Sequence, residues 1–280
     1  MIACRYKPHP ALSAFVEDLW LYDGYVPTHE RERILPSGTF ELVLNLRENE
    51  LRIYDAANTD QCRRFSGAVV SGPYAGYFCS DAAEEVSIMG VHFKPGGAFP
   101  FLGFPAGELS DAHVDLAEIW KGHAEDLRAQ LVETNRADER FRLLERRLIE
   151  HLIQPLEHHP AVAIALEAHH RPEASTRTHE LAHASGLSER RFIDVFRSEV
   201  GMTPKLFDRV RRFQRTLGQL RVSHDIDWAT LALGSGYFDQ SHLIRDFREF
   251  AGVSPTEYVR RMQSLQALGA HAKPNHLAFA

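Results

Sequence analysis

Hydrophobic residues in the first third of the chain occur in short runs separated by turn residues. Within 41–46 and 87–93 they alternate with polar residues, and many are β-branched or aromatic. The runs cover 15–22, 40–46, 51–54, 68–70 and 86–93. Gly24, Gly38, Gly72 and Gly96 lie between or after these runs, where turns are expected. The pattern predicts a β-rich N-terminal domain, with a barrel or cupin-like arrangement.

Beyond Pro105 the apolar residues recur at intervals of three and four, which is typical of helices. Two helices are predicted near 123–133 and 137–153. The recurring residues include Leu127, Leu131, Phe141, Leu143, Leu144 and Leu148. Their apolar stripe must be buried, either on the sheet or against a second copy of the chain. Both remain open, and the expected fold class is α+β, with this helical extension completing the N-terminal domain.

Pro155 and Pro160 bracket a polar stretch that neither a helix nor a strand would favour. This stretch predicts a domain boundary. We expect an effector-sensing and dimerisation domain over 1–155, an all-helical domain over 160–262, and a loose tail over 263–280.

The helical half carries one pattern twice. Leu181, Ala182, Ser185, Gly186 and Phe196 correspond to Leu231, Ala232, Ser235, Gly236 and Phe247, with an offset of 50 residues up to the glycine and 51 after it. Each copy joins a short apolar helix to a second helix through a glycine turn, the pattern of a helix-turn-helix. A long amphipathic helix from Pro204 to about 221 connects them. We therefore expect two DNA-reading units.

The second helix of each copy has a predicted core face and a predicted outer face. Phe192 and Phe196, like Leu243 and Phe247, are four residues apart and anchor one face in the core. The outer faces carry Glu189, Arg190, Ile193, Asp194 and Arg197, then Gln240, Ser241, Ile244, Arg245 and Arg248. Arginine can pair with guanine, glutamine with adenine, and isoleucine can meet a thymine methyl group. Asp194 would be repelled by phosphate, so we expect it to accept from cytosine or to orient an arginine.

The connecting helix adds cations, some of which we expect to contact the DNA backbone. They are Lys205, Arg209, Arg211, Arg212 and Arg215, with Lys205, Arg209 and Arg212 as the candidate DNA contacts. A charged outer face is common on any amphipathic helix. It is the duplication of turn and core anchors that favours DNA recognition.

Charge is unevenly distributed along the chain, whose formal net charge is −6. Residues 1–173 hold 17 Lys+Arg against 27 Asp+Glu, whereas residues 174–262 hold 14 against 11. A weakly basic half behind an acidic half fits a DNA-binding domain attached to a domain that does not touch DNA.

The segment 236–247, GYFDQSHLIRDF, followed by GVSPTEY at 252–258, resembles the C-terminal signature of AraC/XylS-type transcriptional regulators. The resemblance covers 160–262 and implies two helix-turn-helix units on either side of a connecting helix, reading successive major-groove segments on one DNA face. It places Arg190, Ile193, Asp194, Gln240, Ser241, Ile244 and Arg245 nearest the bases. Asp194 stands where such regulators often have a basic or polar residue.

The stretches 33–43 and 91–98 also resemble a sensor domain that precedes such C-termini, which implies a small-molecule pocket and a dimer surface in a β-barrel. The aromatic segment 93–104 either walls a pocket, with Lys94 attracting an anion, or forms a Pro/Gly loop over the core, which we favour. His92, Lys94, Trp20 and Phe93 are the candidate ligand-binding residues. For Trp20 and Trp120 we favour a role in the core over a role in the pocket.

Other functions lack sequence support. The chain has no GxSxG, Walker or GxGxxG motif, and its 16 histidines form no HxH pattern. One HExxH string occurs, HELAH at 179–183, within the short first helix of the first repeat. We expect no enzymatic activity, no metal and no cofactor. With no signal peptide and no apolar run of about 20 residues, a cytoplasmic protein without membrane contact is expected.

The predicted function is sequence-specific transcription regulation on double-stranded DNA, modulated by a small-molecule effector. We also predict homodimerisation and contact with RNA polymerase. The alternative is a ligand-independent DNA-binding protein whose N-terminal domain serves only association.

Overall fold

The computed structural model describes residues 2–27, 29–56, 58–170, 177–222, 226–267 and 275–278. Its N-terminal part contains two antiparallel sheets. The first has six strands in the spatial order β1 (Ile2–Tyr6), β2 (Val16–Asp23), β9 (Ser87–Phe93), β4 (Glu41–Asn45), β7 (Ala68–Ser71) and β10 (His113–Asp115). The second has the order β11 (His276–Ala278), β3 (Arg31–Ile34), β8 (Phe78–Asp81), β5 (Leu51–Tyr54) and β6 (Cys62–Phe65).

The prediction of a β-rich N-terminal domain is confirmed, but the two sheets do not form the expected barrel. All five predicted runs contain strands, β2, β4, β5, β7 and β9. Within the part of the chain that is described, no strand of one sheet hydrogen-bonds to a strand of the other, so the sheets do not close into a barrel. Short 3-10 turns follow β8 at Ala82–Val86 and precede β10 at Ala106–Leu109.

Four helices complete this part: α1 (Phe99–Leu102), α2 (Leu116–Trp120), α3 (Gly122–Glu133) and α4 (Ala137–Glu150). The two helices predicted near 123–133 and 137–153 are α3 and α4. Their apolar stripe packs on the six-stranded sheet, because Leu127, Leu131 and Leu144 share one buried core with Leu42 and Val91. Of the two ways to bury the stripe, the chain uses its own sheet.

The C-terminal half consists of α5 (Pro160–His170), α6 (Thr178–Ala184), α7 (Glu189–Val200), α8 (Pro204–Val222), α9 (Trp228–Gly234), α10 (Gln240–Ala251) and α11 (Pro255–Ala267). These helices surround a second core, in which Phe196, Phe207, Phe213 and Phe247 are fully buried. None of the described helices has the length and apolarity needed to cross a membrane.

The loose tail expected over 263–280 is wrong for the residues that the structure describes there. Helix α11 continues to Ala267, and β11 pairs with β3, with Leu277 opposite Arg33. The side chain of Leu277 is completely buried in the core of the helical half, which Leu35 of the N-terminal part also enters. Two contacts hold this segment in place: Leu277 is buried in the core, and β11 pairs with the edge strand β3.

Candidate nucleic-acid interface and interdomain cavity

Helices α6 and α7 form the first helix-turn-helix. Gly186 adopts a left-handed φ of 70°, which the tight turn requires and which glycine adopts without steric cost. The Leu187 amide donates to the Ala182 carbonyl across the turn, at 3.0 Å. Ser188 then caps α7, its hydroxyl accepting from the Arg191 amide.

Helices α9 and α10 repeat this arrangement with one difference. Gly236 has a φ of 88°, and the Tyr237 amide donates to the Ala232 carbonyl at 2.9 Å. The N-cap residue is Asp239, whose carboxylate accepts from the His242 amide at 2.7 Å. Phe238 is the additional residue between the turn and the cap, and it accounts for the change of offset from 50 to 51.

The core anchors lie where the sequence predicts them. Phe192, Phe196, Leu243 and Phe247 are all completely buried. Because they fix the inner face of each helix, the outer faces are exposed: Glu189, Arg190, Asp194 and Arg197 on α7, then Gln240, Ser241, Arg245 and Arg248 on α10. Ile193 and Ile244 are half-buried beside them. Each recognition helix thus offers hydrogen-bonding side chains around one apolar residue, which suits the edges of base pairs.

A cavity of about 790 Å³ lies between the two sheets and the helical half. All four candidate ligand residues, Trp20, His92, Phe93 and Lys94, line it. The opposite wall comes from α5 and α8 and includes Leu166, Phe207, Arg211 and Gln214, while Asn275 and His276 contribute from the C-terminal strand. The cavity is therefore shared between the β-rich part and the helix that joins the two helix-turn-helix units.

Charged side chains form a linked group in the cavity wall. Arg5 Nη1 donates to Asp18 at 2.6 Å, and the His92 ring lies between Asp18, at 2.8 Å from Nδ1, and Glu41, at 3.0 Å from Nε2. Burial disfavours the charged imidazole, but the carboxylates of Glu41 and Asp18 outweigh it and raise the pKa of His92 to about 9. His92 is consequently a cation at neutral pH.

Trp20 reaches the cavity because β9 has no side chain at Gly90. A Cβ atom at this position would come within 2.6 Å of Trp20 Cζ2 and would also clash with the Leu42 carbonyl. The indole therefore packs directly against the backbone of β9, and it is both a core residue and a wall of the cavity.

Comparison with known proteins assigns the C-terminal part. The model of the family described as "Helix-turn-helix domain" matches residues 181–261, and a model described as "Domain of unknown function (DUF6597)" matches residues 4–115. The first match covers both glycine turns and both recognition helices. Residues 181–261 form an AraC-type helix-turn-helix domain.

Solved structures that resemble the chain include ToxT from Vibrio cholerae. An apo form of a ToxT variant has 11% sequence identity and a TM-score of 0.46, covering 91% of this chain and 99% of that one. Wild-type ToxT bound to an unsaturated fatty acid has 10% identity and a TM-score of 0.48, covering 86% and 94%. No curated protein matches the sequence.

The connecting helix of the AraC-type domain differs from its sequence prediction. Lys205 is exposed as expected. Arg209, by contrast, donates to the buried carboxylate of Asp246 at 2.8 Å and to Glu249 at 2.6 Å. Arg212 pairs with Asp208 at 3.4 Å and lies over the ring of Tyr237. Both guanidinium groups thus hold parts of the domain together in this arrangement.

Two further residues of the AraC-type domain face the N-terminal part. The side chain of Arg197, at the end of α7, lies against Gly107, so that a Cβ atom there would be 3.0 Å from Arg197 Cγ. Arg211 faces the cavity, although the sequence grouped it with the outward cations. The sequence could have indicated this position, because intervals of four and three residues place Phe207, Arg211 and Gln214 on one side of α8.

Proposed function

We propose that the chain is a sequence-specific transcription regulator whose recognition helices, α7 and α10, enter successive major-groove segments of duplex DNA. The observation that carries this proposal is the paired arrangement of buried anchors and exposed polar side chains on both helices. One charged helix face would be ordinary, whereas two that share turn, cap and anchors fit a duplex read at two places.

The exposed side chains supply distinct chemistry at each helix. On α10, Arg245 can donate two hydrogen bonds to guanine and Gln240 can pair with adenine, while Ile244 can meet a thymine methyl group. On α7, Arg190 and Ile193 have the same roles, and Asp194 accepts from cytosine or orients an arginine. The amide groups at the starts of both helices can position a phosphate.

A small molecule bound in the shared cavity modulates DNA binding in this proposal. Such a ligand touches both the sheets and α8, so its binding can favour one relative placement of the two recognition helices. The protein acts in the cytoplasm, and pairing of protomers and contact with RNA polymerase remain predictions.

Selection of bound sequences from a random DNA pool tests the DNA-binding part. We expect enrichment of one sequence with two separated conserved segments, at a salt concentration held constant throughout. Equal binding to the enriched sequence and to random duplex would contradict sequence-specific regulation.

Repeating the selection with a metabolite mixture tests the effector. We expect at least one fraction to change the affinity for the selected sequence and to raise the thermal stability of the protein. If neither quantity moves, the ligand-independent alternative holds, in which the N-terminal part serves only association.

A further inference from the structure

The turns of the two helix-turn-helix units differ by one residue. Leu187 and Tyr237 occupy equivalent positions, because each amide donates to the carbonyl of the alanine five residues earlier. In the first unit the N-cap residue, Ser188, follows Leu187 directly. In the second unit Phe238 stands between Tyr237 and the N-cap residue, Asp239. Phe238 therefore has no counterpart in the first unit.

The side chain of this added phenylalanine is exposed to solvent. Its exposed fraction is 86%, the highest of the exposed large hydrophobic residues in the part of the chain that the structure describes. Its neighbour Tyr237 is buried and packs edge-on against the ring of His242, with the ring centroids 5.2 Å apart. The described residues form three hydrophobic cores, and Phe238 belongs to none of them. The turn thus buries one aromatic ring and presents the next one to solvent.

Hydrogen bonds hold the backbone on both sides of Phe238. The Tyr237 amide donates to the Ala232 carbonyl at 2.9 Å, and the Asp239 carboxylate accepts from the His242 amide at 2.7 Å. The backbone of Phe238 is therefore ordered before any partner binds. This order reduces the entropic cost of a contact through its ring.

Phe238 lies at the end of α10 that faces DNA in the proposed function. It directly precedes the N-cap residue, and the exposed side chains of Gln240 and Ser241 follow within one turn. The N-terminal residues of a recognition helix are those that reach base edges in the major groove. The exposed ring is thus continuous with the surface assigned to base recognition, which favours DNA over a protein as its partner.

We infer that Phe238 contacts the C5-methyl group of a thymine at the border of the DNA segment that α10 reads. This inference rests on the proposed function. A phenyl ring cannot pair with the donors and acceptors of the base edges, and the thymine methyl is the apolar group that the major groove offers. Helix α10 then has two residues for thymine methyl groups, Phe238 and Ile244, where the proposal gives α7 one, Ile193.

Replacement of thymine by uracil in the selected duplex tests the contact, because it removes the methyl group and keeps every hydrogen-bonding group. Each thymine is replaced in turn, and affinities are measured at one salt concentration. We expect one replacement to lower the affinity of the wild-type protein at least about threefold and that of Phe238→Ser less than about 1.5-fold. If the wild type responds to no replacement, or if every response persists in Phe238→Ser, the inference is wrong.

Leu233→Ser is the matched control, because Leu233 is 65% exposed and lies beside the same turn, but at the end of α9. It should leave the affinity and all thymine responses as in the wild type. Both serine variants should melt within about 2 °C of the wild type, since both side chains are exposed. Loss of the same response in Leu233→Ser would indicate a general disturbance of the turn and overturn the inference.

Ile244→Ala distinguishes the two apolar residues of α10. We expect it to abolish the response at a different thymine and to keep the response that depends on Phe238. If Ile244→Ala abolished the same response, the methyl contact would belong to Ile244, and the inference would fail.

Other partners for Phe238 give different results. An equal loss of affinity on selected and random duplex in Phe238→Ser would mean that the ring contacts the sugar-phosphate backbone. Unchanged DNA affinity with weaker transcription from the selected site would identify a protein partner. Either result overturns the inference.

Failure of the inference and failure of the proposed function are distinguishable. If the wild-type protein selects no DNA sequence, the proposed function is contradicted. If it selects a sequence and its thymine responses do not depend on Phe238, the inference alone is contradicted.

Discussion

Arg209, Arg211 and Arg212 lie within four positions of α8, yet they have three different surroundings. Arg209 holds Asp246 and Glu249, Arg211 faces the cavity, and Arg212 pairs with Asp208. Each step along a helix turns the side chain by about 100°, so neighbouring residues face different directions. The sequence analysis groups all three as cations of the connecting helix, with Arg209 and Arg212 as candidate DNA contacts, and this grouping does not separate the three environments.

At the residue scale, Arg245 should decide sequence preference. It is exposed on the outer face of α10, one turn after the N-terminal residues Gln240 and Ser241. We expect Arg245→Ala to weaken binding to the selected DNA by about 1–3 kcal/mol and to leave binding to random duplex nearly unchanged, because a lost base contact matters only where that base is present. Affinities for both duplexes at one salt concentration measure this.

Arg260→Ala is the control for Arg245, since Arg260 is also exposed but lies on α11 and pairs with Glu257. It should leave both affinities unchanged. An equal loss on selected and random DNA in Arg245→Ala would instead identify a phosphate contact.

His92 should make stability depend on pH in a defined direction. Its pKa is raised from 6.5 to about 9 in the folded protein, so the bound proton stabilises the fold fully below 6.5 and this contribution disappears as the pH rises through 9. The imidazole is about one third exposed, at 36%. After allowing for solvent screening, we expect the advantage of the wild type over His92→Gln to fall by about 1 kcal/mol.

Urea unfolding of both proteins at pH 6 and pH 9.5 measures this difference, and the comparison cancels groups that titrate in both. A wild-type advantage that stays constant or grows with pH would show that the carboxylates of Asp18 and Glu41 do not hold the proton on His92.

At the scale of elements, local signals account for what the sequence predicted well. Glycine turns, N-caps and anchors four residues apart are set within a few positions, and the recognition helices therefore begin and end close to where the sequence places them. The candidate ligand residues also come together, because His92, Phe93 and Lys94 are adjacent in the chain. The strands β3, β6 and β8 escaped prediction, because their sequences show neither an apolar run nor a clear alternation of apolar and polar residues.

The contact between α8 and α10 depends on Arg209. Arg209 approaches Asp246 from 37 positions away, and the Asp246 side chain is only 2% exposed. Arg209→Gln leaves this carboxylate buried without its cation, so we expect a loss of about 2 kcal/mol in unfolding free energy. The double variant Arg209→Gln, Asp246→Asn should recover at least half of that loss, because no charge then remains buried.

The same variants separate this structural role from a phosphate contact. If Arg209 only positions α10, the slope of log affinity against log salt stays that of the wild type in Arg209→Gln. A slope reduced by about 0.9 would indicate that Arg209 neutralises a phosphate. Additive losses in the double variant would contradict the ion pair as the source of stability.

At the scale of the whole molecule, the N-terminal and helical parts are joined by contacts that no local pattern announces. Strand β11 pairs with β3 more than 240 positions earlier in the chain, with Ala278 opposite Glu32. Leu35 and Leu277 bring both sides of this pairing into the core of the helical half. A three-residue strand has too few positions for an alternation to be read, so the sequence does not indicate the strand or its partner.

Leu277 should consequently couple the stability of the two parts. Its side chain is completely buried, and we expect Leu277→Ala to lower the unfolding free energy by about 3 kcal/mol through lost burial and the remaining cavity. Leu233→Ala, which truncates a leucine that is 65% exposed, should cost less than about 0.5 kcal/mol. Urea unfolding followed by tryptophan fluorescence measures both.

The three tryptophans can show which part of the molecule is destabilised by Leu277→Ala. Trp228 reports on the helical half in a Trp20→Phe, Trp120→Phe background, and Trp20 and Trp120 report on the sheets in a Trp228→Phe background. If β11 joins the two parts into one cooperative unit, Leu277→Ala shifts both signals to lower urea by the same amount. A shift confined to Trp228 would mean that the strand stabilises the DNA-binding half alone, and the cavity between the parts could then open without unfolding either.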